Sequence, residues 1–244
     1  MPEPWRRTFA ALLALAGMTA TQAQPDFAAQ RARLVTEVDA LYAETRSETG
    51  LAAMSPAVRA ALGKVERHRM VPPELASQAY RNHPLPIGEG QTISQPYIVA
   101  LSTDLIEPRP GQVVLEVGTG SGYQAAVLAE IVKQVYSIEI VPSLGSSAAA
   151  RLAELGYYNV EVRIGDGYAG WPEKAPFDGI IVTAAAPRVP QALVEQLKPG
   201  AKMVIPVGGT WGVQELLVVT RRADGGFDRR SVLPVRFVPL VPGK

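Results

Sequence analysis

The chain has 244 residues, 24 basic and 23 acidic, with a formal net charge of +1, no cysteine and two histidines. So even a balance gives no electrostatic footprint for nucleic acid or an anionic membrane. The lack of cysteine excludes disulfides, a thiolate nucleophile and cysteine-ligated zinc, and His68 and His83 are too few for a histidine-rich metal site.

Taken in chain order, Arg6 and Arg7 precede an apolar run, Phe9 to Ala16, and the small-residue end Thr21-Gln22-Ala23. That order is a secretory signal peptide over residues 1–23, with cleavage after Ala23 and export to the periplasm expected; the apolar run is too short to anchor in a bilayer. Removing Glu3, Arg6 and Arg7 leaves 22 basic and 22 acidic residues, a neutral mature chain. Residues 24–244 read as a single domain. Phe27, Arg31, Leu34, Val35, Val38, Leu41 and Tyr42 follow a three/four spacing, which predicts a helix over 26–48. Ser55-Pro56 is a helix start, with a second helix expected over Ala57 to Arg67, so that 26–70 forms a helical extension. Residues 71–96 are rich in proline and glycine without periodicity, as in a binding loop or lid.

Residues 111–244 alternate. Val113 to Val117 is an apolar strand running into a turn with Gly118, Gly120 and Gly122, then a helix over Gln124 to Val132. Val135 to Ile138 is a strand closed by Glu139, Ser146 to Leu155 a helix, and Val160 to Ile164 a strand leading into Gly165-Asp166-Gly167. A strand over Gly179 to Val182, a helix over Pro190 to Leu197 stopped at Lys198-Pro199-Gly200, and a strand over Ala201 to Val207 follow. Two last runs, Gln214 to Arg221 and Phe227 to Phe237, flank the hairpin turn Asp224-Gly225-Gly226, with Arg221, Arg222, Arg229 and Arg230 expected as a solvated rim. The pattern predicts an α/β fold: a doubly wound, mostly parallel sheet with an antiparallel C-terminal pair and a helical N-terminal extension.

The glycine spacing narrows the ligand. A dinucleotide fingerprint places its third glycine three positions after the second, whereas Gly122 follows Gly120 by two. Glu139 closes the next strand, where an acid can accept from both ribose hydroxyls of a nucleoside. Asp166 and Thr183 end the third and fourth strands of this unit, so all four positions fall at one sheet edge. The E-x-G-x-G-x-G form resembles the first motif of Rossmann-like methyltransferases that use S-adenosylmethionine.

Gly90-Gln91-Thr92-Ile93-Ser94-Gln95-Pro96 is more specific. With Leu115 to Tyr123, Gly165 to Tyr168, Phe177 to Ala184 and Arg236-Phe237-Val238-Pro239-Leu240, it resembles the protein-L-isoaspartate O-methyltransferase family from about Val58 to Leu240. The resemblance implies transfer of a methyl group from S-adenosylmethionine to the free carboxylate of isoaspartyl residues in damaged proteins. The ester then returns through succinimide toward aspartate. It implies Ser94 as the active-site hydroxyl, and cofactor contacts from Glu116, Gly118, Thr119, Gly120, Ser121, Gly122, Glu139, Asp166, Gly167 and Thr183. Substrate contacts would come from Thr92, Ile93, Gln95, Val238, Pro239 and Leu240, in a monomer without metal. Residues 71–96 become the substrate loop. The family is usually cytoplasmic, which is the alternative to export. The functional alternative is an exported S-adenosylmethionine-binding protein of the same fold with another acceptor or no turnover.

Overall fold

The computed structural model describes residues 26–209 and 212–243; the expected signal peptide lies outside the described residues. Helix α1 (Phe27–Glu44) starts at Asp26, whose side chain accepts from Ala29 N at 2.9 Å, and buries Leu34, Val38 and Tyr42. It stops short of 48 at Thr45, whose hydroxyl turns back to Leu41 O at 2.8 Å, a local bond that competes with helix continuation. A single turn, α2 (Arg46–Thr49), follows and ends at Gly50 with φ +79°. Helix α3 (Pro56–Lys64) has Ser55 as its cap, the hydroxyl accepting from Val58 N at 3.2 Å. It ends before Arg67, which opens a 3-10 turn over Arg67–Met70 and is fully buried.

The 71–96 segment is ordered, contrary to the expectation of no regular structure. It holds a 3-10 turn (Pro73–Gln78) and an antiparallel hairpin, β1 (Leu85–Gly88) with β2 (Gln91–Ile93). Its tip, Gly88-Glu89-Gly90, takes positive φ throughout. Strands of four and three residues are too short to show a period. Helix α4 (Pro96–Leu105) was also not predicted: all ten of its residues are buried, so no polar face marks it in the sequence. Tyr42 on α1 ties the extension to it, donating to Asp104 Oδ2 at 2.7 Å.

The core is a seven-stranded sheet in the order β5-β4-β3-β6-β7-β8-β9. Its elements are β3 (Val113–Val117), α5 (Tyr123–Ala129), β4 (Gln134–Glu139), α6 (Pro142–Glu154), β5 (Val160–Ile164), β6 (Phe177–Val182), α7 (Gln191–Glu195), β7 (Leu197–Val207), β8 (Gln214–Arg221) and β9 (Phe227–Val235). β5, β4, β3, β6 and β7 are parallel; β8 and β9 pair antiparallel. This is the predicted fold, with boundaries moved. Lys198-Pro199-Gly200 does not precede β7 but lies within it, where the register with β6 shifts between Phe177 and Gly179, a bulge in place of a stop. α6 starts four residues early, with Pro142 at its first turn. Arg221 is not part of a solvated rim: its Nη1 donates to the carbonyls of Glu195 and Leu197, stapling β8 to the turn before β7. Arg222, Arg229 and Arg230 are exposed.

Alternating strand residues feed two cores. Val114, Ile181, Val204 and Leu216 pack toward α1, α3, α4 and α5, and Leu115, Ile180, Met203 and Val219 toward α7. The chain winds outward through β3, β4 and β5, then returns to place β6 on the other side of β3. Strand order therefore reverses between β3 and β6, the position where open parallel sheets bind ligands.

Candidate active site

Two adjoining hollows open at that switch point. The first, a slot, is lined by Gly118 and Gly120 after β3, Glu139, Ile140 and Val141 after β4, Gly167, and Thr183 after β6. Gln91 and Thr92 of the hairpin and Val238, Pro239, Leu240 and Val241 close it. The second, a cleft of about 430 Å³, is lined by Pro84, Thr92, Ser94, Gln95, Ile98, Thr183, Val213 and residues 234–238. Thr92, Thr183 and Val238 belong to both.

The slot is built by backbone approach. Gly118 has φ +98°, and a Cβ there would lie under 3.0 Å from Thr183 Oγ1. Thr183 Oγ1 donates to Gly118 O at 2.5 Å and Val117 O at 3.1 Å, clamping the ends of β3 and β6 together. A Cβ on Gly167 would come equally close to Val117 Cγ1. Both glycines are positions where only hydrogen fits. Glu139 is 5 % exposed; its Oε2 accepts from Gly120 N at 2.8 Å and its Oε1 from Val141 N at 3.0 Å. Two backbone donors thus fix the carboxylate on the slot wall. Ile87 of β1 lies over Gly120, and Glu89 at the hairpin tip accepts from Ser143 Oγ at 2.9 Å. The hairpin therefore roofs the glycine loop.

Glu116, Thr119, Ser121, Gly122 and Asp166, also expected to contact the cofactor, do not line the slot. Glu116 is fully buried beneath the glycine loop and accepts from Ser137 Oγ at 2.5 Å, while Ser137 Oγ also meets Thr119 Oγ1 at 2.5 Å. Burial pushes the Glu116 carboxyl up to about 8, with the Ser137 hydrogen bond opposing and the Glu139 charge adding to the rise. Ser121 offers its carbonyl to Arg151 Nη1 at 3.0 Å in a neighbouring hollow. Gly122, with φ +87°, opens α5 and packs on Leu152. Asp166 Oδ1 accepts from Tyr168 N at 2.8 Å, shaping the turn that presents Gly167.

In the cleft, Ser94 and Gln95 immediately precede α4. Pro96 has no N–H, and Asn82 Oδ1 accepts from Tyr97 N at 3.0 Å, so Asn82 caps the helix that carries Ser94 at its mouth. Ile93, expected to touch substrate, is 2 % exposed and lines neither hollow. Pro239 and Leu240, expected on the substrate side, line the slot instead; only Val238 reaches both. The cause is the return of the chain alongside Ala185, whose N–H donates to Val238 O at 2.8 Å and whose carbonyl accepts from Leu240 N at 2.8 Å. Neither histidine lines the slot or the cleft, and among the described residues no group of three or more acidic or histidine side chains is placed to hold a metal.

Arg67 lines neither hollow but braces the segment that leads into the cleft, and no motif marks it. Its Nε donates to Ala79 O at 2.8 Å, its Nη2 to His83 O at 3.3 Å, and its guanidinium lies 4.7 Å from the Tyr123 ring centroid. A buried cation thus joins the segment before Pro84 to the first residue of α5. Ile98, Val213, Arg236 and Phe237 in the cleft, and Ile140 and Val141 in the slot, were likewise not singled out as contacts.

A Rossmann-like sheet with a glycine-walled slot at its switch point, a fixed acid at the second strand and an adjoining hydroxyl-lined cleft defines a class I-type methyltransferase domain. The family model for protein-L-isoaspartate(D-aspartate) O-methyltransferase matches residues 37–244. The chain is 57 % identical over 207 residues to protein-L-isoaspartate O-methyltransferase 2 of Polaromonas sp. (strain JS666), covering 85 % of this chain and 98 % of the relative. It is 52 % identical over 241 residues to protein-L-isoaspartate O-methyltransferase 1 of Cupriavidus necator, covering 98 % and 93 %. A solved protein-L-isoaspartate O-methyltransferase superposes with a TM-score of 0.73 at 26 % identity over 86 % of this chain, which spans 65 % of that longer one. A Plasmodium falciparum structure in complex with S-adenosyl-L-homocysteine shares the fold, with a TM-score of 0.70 at 24 % identity. The chain belongs to the protein-L-isoaspartate O-methyltransferase family.

Proposed function

We propose that the chain transfers the methyl group of S-adenosylmethionine to the free α-carboxylate of L-isoaspartyl residues in damaged proteins. The observation that carries this is the pair of hollows: a slot lined by Glu139 and a cleft with no acid among the described residues meet at Thr92, Thr183 and Val238. A cationic donor and an anionic acceptor are matched by that arrangement. The residues present fit the cofactor. Gly118 and Gly167 wall the slot with bare backbone, and Glu139 offers a nearly buried carboxylate for ribose hydroxyls. When bound, S-adenosylmethionine supplies an electrophilic methyl group on a sulfonium centre.

The remaining work is positional. A carboxylate is ionised at neutral pH, so it is already the nucleophile and no base is required. Ser94, half-buried at the mouth of α4, donates a hydrogen bond that holds one carboxylate oxygen and points the other toward the slot, and the positive end of α4 favours the same anion. Ile98, Val235, Phe237 and Val238 exclude water from the line of transfer. These side chains would thereby present the carboxylate oxygen to the methyl group that S-adenosylmethionine, held by Gly118, Glu139 and Gly167, would supply, with the sulfonium sulfur as leaving group keeping the electron pair. The ester leaves the enzyme, closes to succinimide and reopens in part to aspartate. Both hollows are lined by one copy of the chain, which fits action as a monomer.

Residues 1–23 direct the chain out of the cytoplasm, a reading supported by the charge and small-residue order of the leader. N-terminal sequencing of material recovered from the periplasm should begin at Gln24; an intact leader on cytosolic protein would refute export.

The test of activity uses the chain from Gln24, labelled S-adenosylmethionine, and two peptides differing only in isoaspartate or aspartate at one position. Base-labile label on the isoaspartyl peptide alone is expected. Cofactor binding with label on neither peptide would leave the family's fold without its reaction.

A further inference from the structure

Arg236 is the only charged side chain among the described residues that line the cleft. It is exposed and takes part in no ion pair or side-chain hydrogen bond among those residues. Of the other arginines of the C-terminal strands, Arg221 is engaged with two carbonyls, Arg222 with Asp224 and Asp228, and Arg230 with Thr49 O, while Arg229, like Arg236 without a partner among the described residues, lines a different hollow. Arg236 also stands on a fixed base. Val235 before it pairs with Gln214, and Phe237 after it donates its N–H to Gln214 Oε1 at 2.9 Å. Gln214 is 2 % exposed and donates in turn to Gly209 O at 3.2 Å. The backbone is held on both sides, while the side chain has no partner among the described residues.

A free guanidinium over a substrate cleft needs an anionic partner from the substrate. The reacting carboxylate is a poor candidate. It belongs beside half-buried Ser94, and a cation bound directly to it would withdraw the electron density that attacks the methyl group. An exposed cation at the rim is placed instead to meet what lies beside the isoaspartyl residue. We infer that Arg236 is a specificity-determining residue that favours isoaspartyl sites flanked by an acidic side chain. Among the described residues no acid lines the cleft to neutralise it, and the positive end of α4 adds to the same field. This inference rests on the isoaspartyl reading of the site and adds sequence context to it.

The test compares the leaderless enzyme with Arg236→Gln, Arg236→Lys and Arg236→Glu on isoaspartyl peptides carrying Glu, Gln or Lys at each flanking position. The readout is the ratio of kcat/KM for Glu-flanked over Gln-flanked peptide. An exposed ion pair sets the expected ratio at about 2- to 5-fold in the wild type. Arg236→Lys should keep it, Arg236→Gln should bring it to about one, and Arg236→Glu should transfer the preference to the Lys-flanked peptide. The wild-type ratio should also shrink at about 0.5 M salt, where exposed charges are screened within a few ångströms. A ratio that Arg236→Gln leaves unchanged overturns the inference while the methyltransferase reading stands. Failure to methylate any isoaspartyl peptide removes that reading, and this one with it.

Discussion

Gly118→Ala tests whether the slot is set by the close approach of β3 and β6. Two costs are separable in the geometry. The residue holds φ +98°, and a side chain in left-handed backbone costs about 1–2 kcal/mol. The new Cβ also lies under 3.0 Å from Thr183 Oγ1, while Thr183 Cβ and carbonyl carbon would be 3.6 and 3.8 Å away, ordinary contact distances. To make room, Thr183 must turn its hydroxyl away from Gly118 O and Val117 O, a loss of about 0.5–1.5 kcal/mol. The sum is about 1.5–3.5 kcal/mol, or a fall in Tm of roughly 3–14 °C for a chain of this size. Thr183→Ala removes the one clashing atom, so Gly118→Ala in that background should cost only the backbone strain. A double-mutant cycle by urea denaturation should therefore give a coupling of about 1 kcal/mol. Strict additivity of the two substitutions would refute the clash as the cause. Titration of the single variant with S-adenosylmethionine should show weakened binding, because the backbone that walls the slot must move.

Three further substitutions probe separate parts of the site. Ser94→Ala removes a hydrogen bond to a charged acceptor, worth about 1.5–3 kcal/mol, so kcat/KM for the isoaspartyl peptide should fall by roughly 10- to 150-fold with cofactor affinity intact; a covalent adduct trapped on Ser94 would contradict the orienting role. Glu116→Gln addresses the buried carboxyl raised to about 8 by burial. A carboxyl whose folded value exceeds its unfolded one adds stability below the unfolded value and loses it as pH rises through the folded one. Wild-type unfolding free energy should therefore drop between about pH 4.5 and 8, on the order of a few kcal/mol, and the variant should lack that slope. Arg67→Met leaves the carbonyls of Ala79 and His83 unpaired, about 1–3 kcal/mol for each that stays buried. Peptide KM should rise while cofactor affinity holds, and equal losses in both would argue against a role confined to the substrate segment.

What could be read from the sequence was local. Gly118, Gly120 and Gly122 follow a strand directly and take φ of +98°, +52° and +87°, and Glu139 closes the next strand beside them. Their function depends on neighbours in the chain, so spacing was enough to find them. The parts that could not be read depend on distant contacts or lack a period. α4 is buried all round and shows no amphipathic face, and the β1 and β2 strands, four and three residues long, are too short for an alternation to stand out. Arg67 looks like any surface arginine until the turn at Ala79 and the ring of Tyr123 close over it. The assignment of Pro239 and Leu240 shows the limit most clearly. The motif 236–240 is continuous in sequence, yet the pairing with Ala185 divides it, sending Arg236 and Phe237 to the cleft and Pro239 and Leu240 to the slot. Val238 sits at the division and faces both. One extended segment contributes to both hollows because it runs from one into the other, residues 234–238 lining the cleft and 238–241 the slot. A change in its register would disturb donor and acceptor together, whereas a side-chain change at either end would disturb only one.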